Sequence, residues 1–231
     1  MLPAGAYVTL EHEYILIVRK GDKREFETPR EKQNRRESAL FWEERNTWFS
    51  DVWLGLIGTQ QKLKKNVARI RSGAFPFELA YRLVNMYSAK GETVVDPFLG
   101  TGTTMRSAMA SGRSSVGYEI ETGFQELIAA NLETILTVSN DRIRQRIQTH
   151  LDYLETRSDE SGKFKYLNRH YKFPVMTRQE VELFFNPLES LNQLNENTLE
   201  VMYADLPDRE SERDWKQLMQ KKSTSKQLQL F

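Results

Sequence analysis

Cysteine is absent from all 231 residues. The chain therefore has no disulfide, no thiolate metal ligand and no thiolate nucleophile of its own. The absence fits a reducing cytoplasm, which is the expected location. Histidine is almost as scarce. His12, His150 and His170 stand far apart, with no spacing such as H-E-x-x-H, so no metal is expected. No stretch approaches the roughly 18 consecutive apolar residues of a membrane helix, so no membrane partner is expected. The opening MLPAGAYVTLEHEY has neither a basic leader nor an apolar signal core and reads as no secretion signal. There is no Pro-Pro dipeptide and no internal repeat.

What remains suits one large domain, or one domain with appended pieces. Hydrophobic residues make up 39% of the chain, enough for a core, and a mean hydropathy of −0.62 points to a soluble protein. Net charge is +1 but unevenly spread. Between Arg19 and Arg71 there are 14 Lys/Arg against 8 Asp/Glu, leaving 19 against 24 elsewhere. A basic segment beside an acidic remainder fits either a local anionic partner, with nucleic acid foremost, or a solvated charged loop.

Residues 6–19, AYVTLEHEYILIVR, are rich in β-branched and aromatic types. The apolar run Tyr14 to Val18 predicts a strand buried on both faces, which needs neighbouring strands. Residues 20–66 are polar and basic, then crowd Trp42, Trp48 and Trp53 together. Two readings stay open. Arg35, Arg36 and Arg45 could contact DNA phosphates with Trp42 and Trp48 against bases. Alternatively, this is an irregular insertion whose tryptophans pack on the main domain.

Pro76 suits a first helical turn, and Phe77, Ala80, Leu83, Val84 and Tyr87 follow at helical spacing, with Gly91 as the cap. TVVDPF then predicts a strand, TTMRSAMASG a helix stopped by Gly112, and SSVGYEI a second strand. This is a β-α-β unit of a doubly wound sheet. Residues 124–156 read as one long or two consecutive helices, 157–163 as a loop, 197–206 as a late strand, and the tail as mobile.

The stretch VVDPFLGTGTT places a glycine turn at the end of the first strand. No lysine follows Gly102, so it is not a P-loop. Met105 stands where a dinucleotide fingerprint has its third glycine, and Asp96 would repel a pyrophosphate. A cationic adenosine-bearing ligand without phosphates, S-adenosylmethionine, fits better. Asp96 would face its positive end, and Glu119 would accept from ribose hydroxyls. Alone, Asp96 would be a cap and Glu119 a solvated strand end. Together, around the turn, they predict a cofactor site.

DPFLGTGTT with GYEIE resembles the cofactor motifs of the DNA amino-methyltransferases, which methylate the exocyclic amine of cytosine (N4) or adenine (N6). The resemblance implies an α/β, Rossmann-like S-adenosylmethionine-dependent methyltransferase fold with an incomplete sheet and an irregular inserted recognition region. It implies cofactor contacts at Ala74, Phe75, Pro76, Asp96, Pro97, Phe98, Gly100, Gly102, Thr103, Thr104 and Glu119. It divides the chain into a late strand of the catalytic half (1–19), a target-recognition-like region (20–71), a cofactor-binding β-α-β region (72–139) and a helical extension with a late strand and tail (140–231). In the order recognition region then cofactor region, the family's D/S/N-P-P-Y/F/W catalytic tetrapeptide lies N-terminal to both. This chain has none. NPLE at Asn186 and DLPD at Asp205 lack the aromatic, so no catalytic residue is assigned.

The expectation is therefore a C-terminal, cofactor-binding part of a DNA methyltransferase, with N4-cytosine favoured over N6-adenine, in a restriction-modification system. Its partners would be double-stranded DNA and a second chain carrying the catalytic motif. A split gene, a truncated product and a late start codon remain open as origins. So does a methyltransferase of RNA or of a small molecule.

Overall fold

The structure, a computed structural model, describes residues 12–56, 75–160 and 164–205. Ala74 and the expected tail lie outside them. Residues 12–20 enter no strand ladder. The strand expected at Tyr14 to Val18 is thus corrected to an extended, exposed segment, because a strand exists only with a neighbour to share its hydrogen bonds. The segment expected to be irregular instead holds two short helices. Helix α1 (Pro29–Glu37) starts at a capping box, with Thr28 Oγ1 accepting from Glu31 N at 3.2 Å and Glu31 accepting from Thr28 N at 2.9 Å. Helix α2 (Trp42–Trp48) follows Phe41, whose ring is fully buried.

Helix α3 (Phe77–Tyr87) turns Ala80, Tyr81, Val84 and Asn85 inward at the spacing of one helical face. Strand β1 (Thr93–Asp96), helix α4 (Thr103–Met109) and strand β2 (Ser114–Gly117) form the expected β-α-β unit. The strands are parallel, in register from Thr93↔Ser114 to Asp96↔Gly117. Gly112, at φ +72°, ends the helix where a side chain would strain the backbone. Helix α3 ends earlier than expected, at Ser88, and Gly91 makes the turn into β1.

Helices α5 (Phe124–Leu132) and α6 (Ile135–Glu160) realise the two-segment reading, and α6 runs into the expected loop. One face of α6 buries Ile143, Ile147, Leu151 and Leu154 against Phe41, Phe173, Val175, Leu183 and Phe185. The last four come from a compact stretch containing the antiparallel strands β3 (Tyr166–Leu167) and β4 (Pro174–Val175) and a 3₁₀ turn at Arg178–Glu182. The late strand is confirmed as β6 (Thr198–Tyr203), but it pairs in a hairpin with an unexpected β5 (Leu188–Asn195). That hairpin lays Leu188, Leu191, Leu199, Val201 and Tyr203 on Met109, Leu132 and Ile135. The hairpin and α6 are joined by a reciprocal pair of bonds: Asn140 donates to the Leu188 carbonyl at 3.0 Å and accepts from its N–H at 2.8 Å.

Candidate functional site

The glycine turn leaves β1 at Asp96 and reaches α4 at Thr103. Gly100 (φ +53°) and Gly102 (φ +79°) both take left-handed backbone that other residues rarely adopt. The turn is tied to the end of β2 on one side. Leu99 N donates to the Tyr118 carbonyl at 2.8 Å, and Tyr118 N donates to the Asp96 carbonyl at 2.9 Å. Glu119 then leans across, its Oε2 accepting from Gly100 N at 2.8 Å and its Oε1 from Glu121 N at 2.9 Å. Asp96 Oδ1 accepts from Phe98 N at 2.9 Å. Both carboxylates are thus aimed by backbone amides at the carboxyl ends of adjacent parallel strands, the crevice where doubly wound sheets bind ligands. Carboxylates are acceptors only, so groups placed there suit a ligand that brings hydroxyls or an ammonium.

The other side of the turn is held by α5. Asn131 Nδ2 donates to the Thr101 carbonyl at 3.0 Å, and Ile128 lies 3.5 Å from where a Cβ on Gly102 would stand. Thr101 Oγ1 and Thr103 Oγ1 are 3.2 Å apart. Beneath the turn, Leu99 presses on Gly117 so closely that a Cβ there would meet Leu99 Cδ1 at 2.6 Å. Sequence reasoning missed both Asn131 and Gly117. The available signal was the glycine inside the strand SSVG, since glycine there marks a close approach.

The structure brings Asp96, Gly100, Gly102 and Glu119 together, with Thr103 at the start of α4 and the exposed Pro97 and Phe98 at the rim. Thr104 is the second residue of the same helix. Phe75 and Pro76 precede α3, which runs alongside α4 in the same direction. Asn85 bonds Ser111 just past the end of α4, while Arg106 of α4 lies over the Phe77 ring. That direction puts Phe75 and Pro76 toward the crevice end.

The residues expected at DNA are less unified. Trp48 is 3% exposed and packs edge-on against Tyr81, with Arg82 and Arg146 over its ring. It is a core residue, which corrects its assignment to base contact. Trp53 donates from Nε1 to the Trp48 carbonyl at 2.9 Å. Arg45 is exposed beside Trp42 and Phe49. Arg35 and Arg36 are exposed on α1. That helix is pinned to the turn before β1, where Asn34 donates to the Lys90 carbonyl at 3.0 Å. They therefore sit at the opposite end of β1 from the glycine turn.

At that opposite end a water-sized cavity is lined by Glu37, Lys90, Arg113, Arg146 and Asn186. Burial pushes the Lys90 amine down to about 8 and the Arg113 guanidinium down to about 10. Arg113 caps helix ends, donating to the Ser88 carbonyl at 2.6 Å and to the Ser111 carbonyl. Burial also opposes the charge on Arg146, but Glu44 and Tyr81 more than offset it and hold the group above its ordinary value. Among the described residues no cluster of His, Asp or Glu could hold a metal ion, and no helix is long and apolar enough to cross a membrane.

The family model described as DNA methylase matches residues 1–131. The Type II methyltransferase M.MthZI of Methanothermobacter thermautotrophicus is 47% identical over 206 residues, which is 89% of this chain and 57% of that protein. M.MjaI of Methanocaldococcus jannaschii is 47% identical over 127 residues, 55% of this chain and 40% of that protein. The chain thus spans little more than half the length of the first relative and two fifths of the second. A candidate DNA modification methylase from Thermus thermophilus, solved with S-adenosyl-L-methionine, is 32% identical, with a TM-score of 0.47 over 57% of this chain and 48% of that one.

Proposed function

The chain belongs to the DNA methylase family, and from that premise we propose that it is the cofactor-binding part of an S-adenosylmethionine-dependent DNA methyltransferase. Its product would be an exocyclic amine methylated in double-stranded DNA, N4 of cytosine in preference to N6 of adenine, as the modification arm of a cytoplasmic restriction-modification system. The observation that carries the reading is the pair of carboxylates flanking the glycine turn, with Glu119 Oε2 2.8 Å from Gly100 N. Two carboxylates at one turn suit a cation bearing hydroxyls, and their charge disfavours phosphates.

In this reading Asp96 receives the positively charged methionine end, and Glu119 accepts from the ribose hydroxyls. Phe75, Pro76, Pro97 and Phe98 wall the crevice, while Gly100, Gly102, Thr103 and Thr104 let the ligand approach the backbone. The contact expected at Ala74 lies outside the described residues. When bound between Asp96 and Glu119, the cofactor would supply an electrophilic methyl group for the target amine. The chain's contribution is positioning and charge complementarity rather than covalent catalysis. Arg45 and Trp42 are the preferred DNA contacts, with Arg35 and Arg36 farther off.

Calorimetry with S-adenosylmethionine tests the site. Binding that Asp96→Ala and Glu119→Ala each weaken by more than about tenfold, one hydrogen-bonded charge being worth roughly 1.5–3 kcal/mol, is expected. Absence of binding in folded protein, or indifference to both substitutions, overturns it. A second reading, that this part needs a partner carrying the amine-holding tetrapeptide, is favoured by the absence of any Pro-Pro in the chain. Methylation of DNA by the purified chain alone would remove it.

A further inference from the structure

The methionine end of S-adenosylmethionine carries an ammonium and a carboxylate on one carbon. Asp96 and Glu119 attract the first and repel the second, so a crevice that holds both needs a cation as well. The sequence leaves few candidates. Residues 93–133 supply β1, the glycine turn, α4, β2 and α5, and their only Lys or Arg residues are Arg106 and Arg113. Arg113 is buried and donates to the Ser88 and Ser111 carbonyls, at the end of the sheet away from the turn. Residues 75–87 contain one cation, Arg82, which Glu78 holds at 2.7 Å.

Arg106 is the fourth residue of α4. Long helical side chains lean toward the amino end of their helix, which directs its head back to the glycine turn. Its Cζ lies 5.8 Å from the centre of the Phe77 ring. Phe77 opens α3 and stands two residues after Phe75, so the guanidinium sits at the crevice end of both helices. The side chain is half-buried, its Nε is buried without a hydrogen-bond partner, and no carboxylate among the described residues pairs with it. Burial pulls the group below its ordinary value, with no neighbouring charge to oppose the shift. Arg142 and Arg146 differ, since Glu78 holds the first at 2.8 Å and Glu44 the second at 2.5 Å. Residues 57–74, which lead into Phe75, contain five Lys/Arg and no Asp/Glu. A partly desolvated guanidinium without a carboxylate of its own suits an anion brought by a ligand.

We propose that Arg106 receives the α-carboxylate of S-adenosylmethionine, while Asp96 takes the ammonium on the same carbon. The inference rests on the proposed function and adds to it the residue that selects the amino-acid end of the ligand. A guanidinium presents its N–H groups in a planar fork that matches the two oxygens of a carboxylate. The Phe77 ring keeps that fork at the crevice wall. A ligand that lacks the carboxylate leaves the fork unpaired, so the site discriminates against it.

Calorimetry comparing S-adenosylmethionine with its decarboxylated form tests this, because the second ligand keeps the sulfonium, ammonium, ribose and adenine. Wild type should bind S-adenosylmethionine the more tightly by about tenfold or more, as the loss of one charge-assisted bond implies. Arg106→Met should lose about tenfold for S-adenosylmethionine and change by less than about twofold for the decarboxylated form, so that the preference disappears or reverses. Arg106→Lys should keep part of the preference, since it returns the charge without the fork. Ligand-free Arg106→Met should unfold at a urea concentration no lower than wild type, because the group removed had no partner. Where that variant does not fold, Arg106→Gln takes its place. A wild type that binds both ligands alike overturns the inference. So does an Arg106→Met that leaves both affinities unchanged, or one that weakens both equally and makes Arg106 part of the crevice wall only. A variant that keeps the preference but loses duplex DNA binding also overturns it, by giving the guanidinium to a phosphate. If wild type binds neither ligand, the cofactor reading itself falls and the inference falls with it.

Discussion

Arg146 is buried in the middle of α6 and bonds Glu44 through both ends of its guanidinium, Nε at 2.5 Å and Nη2 at 2.7 Å, with the Tyr81 hydroxyl at 3.1 Å. The pair joins α2, α3 and α6. Its attraction is largely offset by the cost of removing two charges from water, so its presence is weak evidence of net stabilisation. Removing one partner is another matter. Glu44→Gln should cost about 3–5 kcal/mol in urea unfolding, and the double change Glu44→Leu, Arg146→Met should cost less than either single change. A double change that costs the sum of the singles would contradict this.

Lys90 makes a second residue-scale test. Burial brings its amine to about 8 from an ordinary 10.5, although Glu37 at 3.6 Å and Asn186 at 2.5 Å hold it. Between those values the unfolded chain carries the proton and the folded chain does not, so stability rises with pH across that window. The contribution is complete above 10.5 and is lost as pH falls through 8. Relative to Lys90→Met, wild type should therefore gain on the order of 1–3 kcal/mol between pH 7.5 and 10.5, read from urea midpoints. A gap that stays constant with pH would place the amine in water.

At the scale of elements, the turn is only as well placed as the strand beneath it. Leu99 lies on Gly117 in β2, and the backbone of Leu99 and Gly100 bonds Tyr118 and Glu119. Gly117→Ala should push Leu99 and the turn outward and lower S-adenosylmethionine affinity by on the order of tenfold, a typical overpacking cost of 1–3 kcal/mol. Adding Leu99→Ala should recover most of that loss, because the space returns. No recovery in the double variant would mean that the turn is placed by other contacts, with Asn131 the next to change.

These elements were the legible ones. In α3 the helix itself was legible, although its buried face is Ala80, Tyr81, Val84 and Asn85 while Tyr87 is exposed; the β-α-β unit is punctuated by Gly91, Gly112 and the glycine turn, so local chemistry and fold agree there. Asp96 and Glu119 could be paired from their strand-end positions alone. Helix α1 was not legible, because it buries no residue and depends on its Thr28–Glu31 cap and on Asn34 reaching Lys90. Strand β5 was hidden in LESLNQLN, whose polar residues face outward and whose partner comes later in the chain. Tyr14 to Val18 read as a strand for sound local reasons, but a ladder needs a neighbour that local sequence does not contain.

The whole molecule divides charge as it divides its ends. The excess of Lys/Arg over Asp/Glu falls within residues 19–71, and the carboxylates of the crevice lie in the acidic remainder. The described arginines of the segment do not form one patch. Arg45 is exposed beside Trp42, whereas Arg35 and Arg36 stand at the amino end of β1. In the proposed reading duplex DNA meets the exposed Arg45 beside Trp42 rather than the α1 pair at the amino end of β1. Arg45→Ala should therefore weaken duplex binding about equally for every sequence and reduce the salt slope by about 1, as the loss of one phosphate contact does. Arg35→Ala with Arg36→Ala should change that slope less, despite removing twice the charge. Trp48→Ala should act differently again, costing about 3–5 kcal/mol of stability as a core truncation while leaving the slope of the protein that remains folded unchanged. Fluorescence anisotropy titrations across a series of salt concentrations separate these outcomes. A larger slope change from the α1 pair than from Arg45 would put the DNA on the opposite end of the sheet and detach its binding from the cofactor crevice.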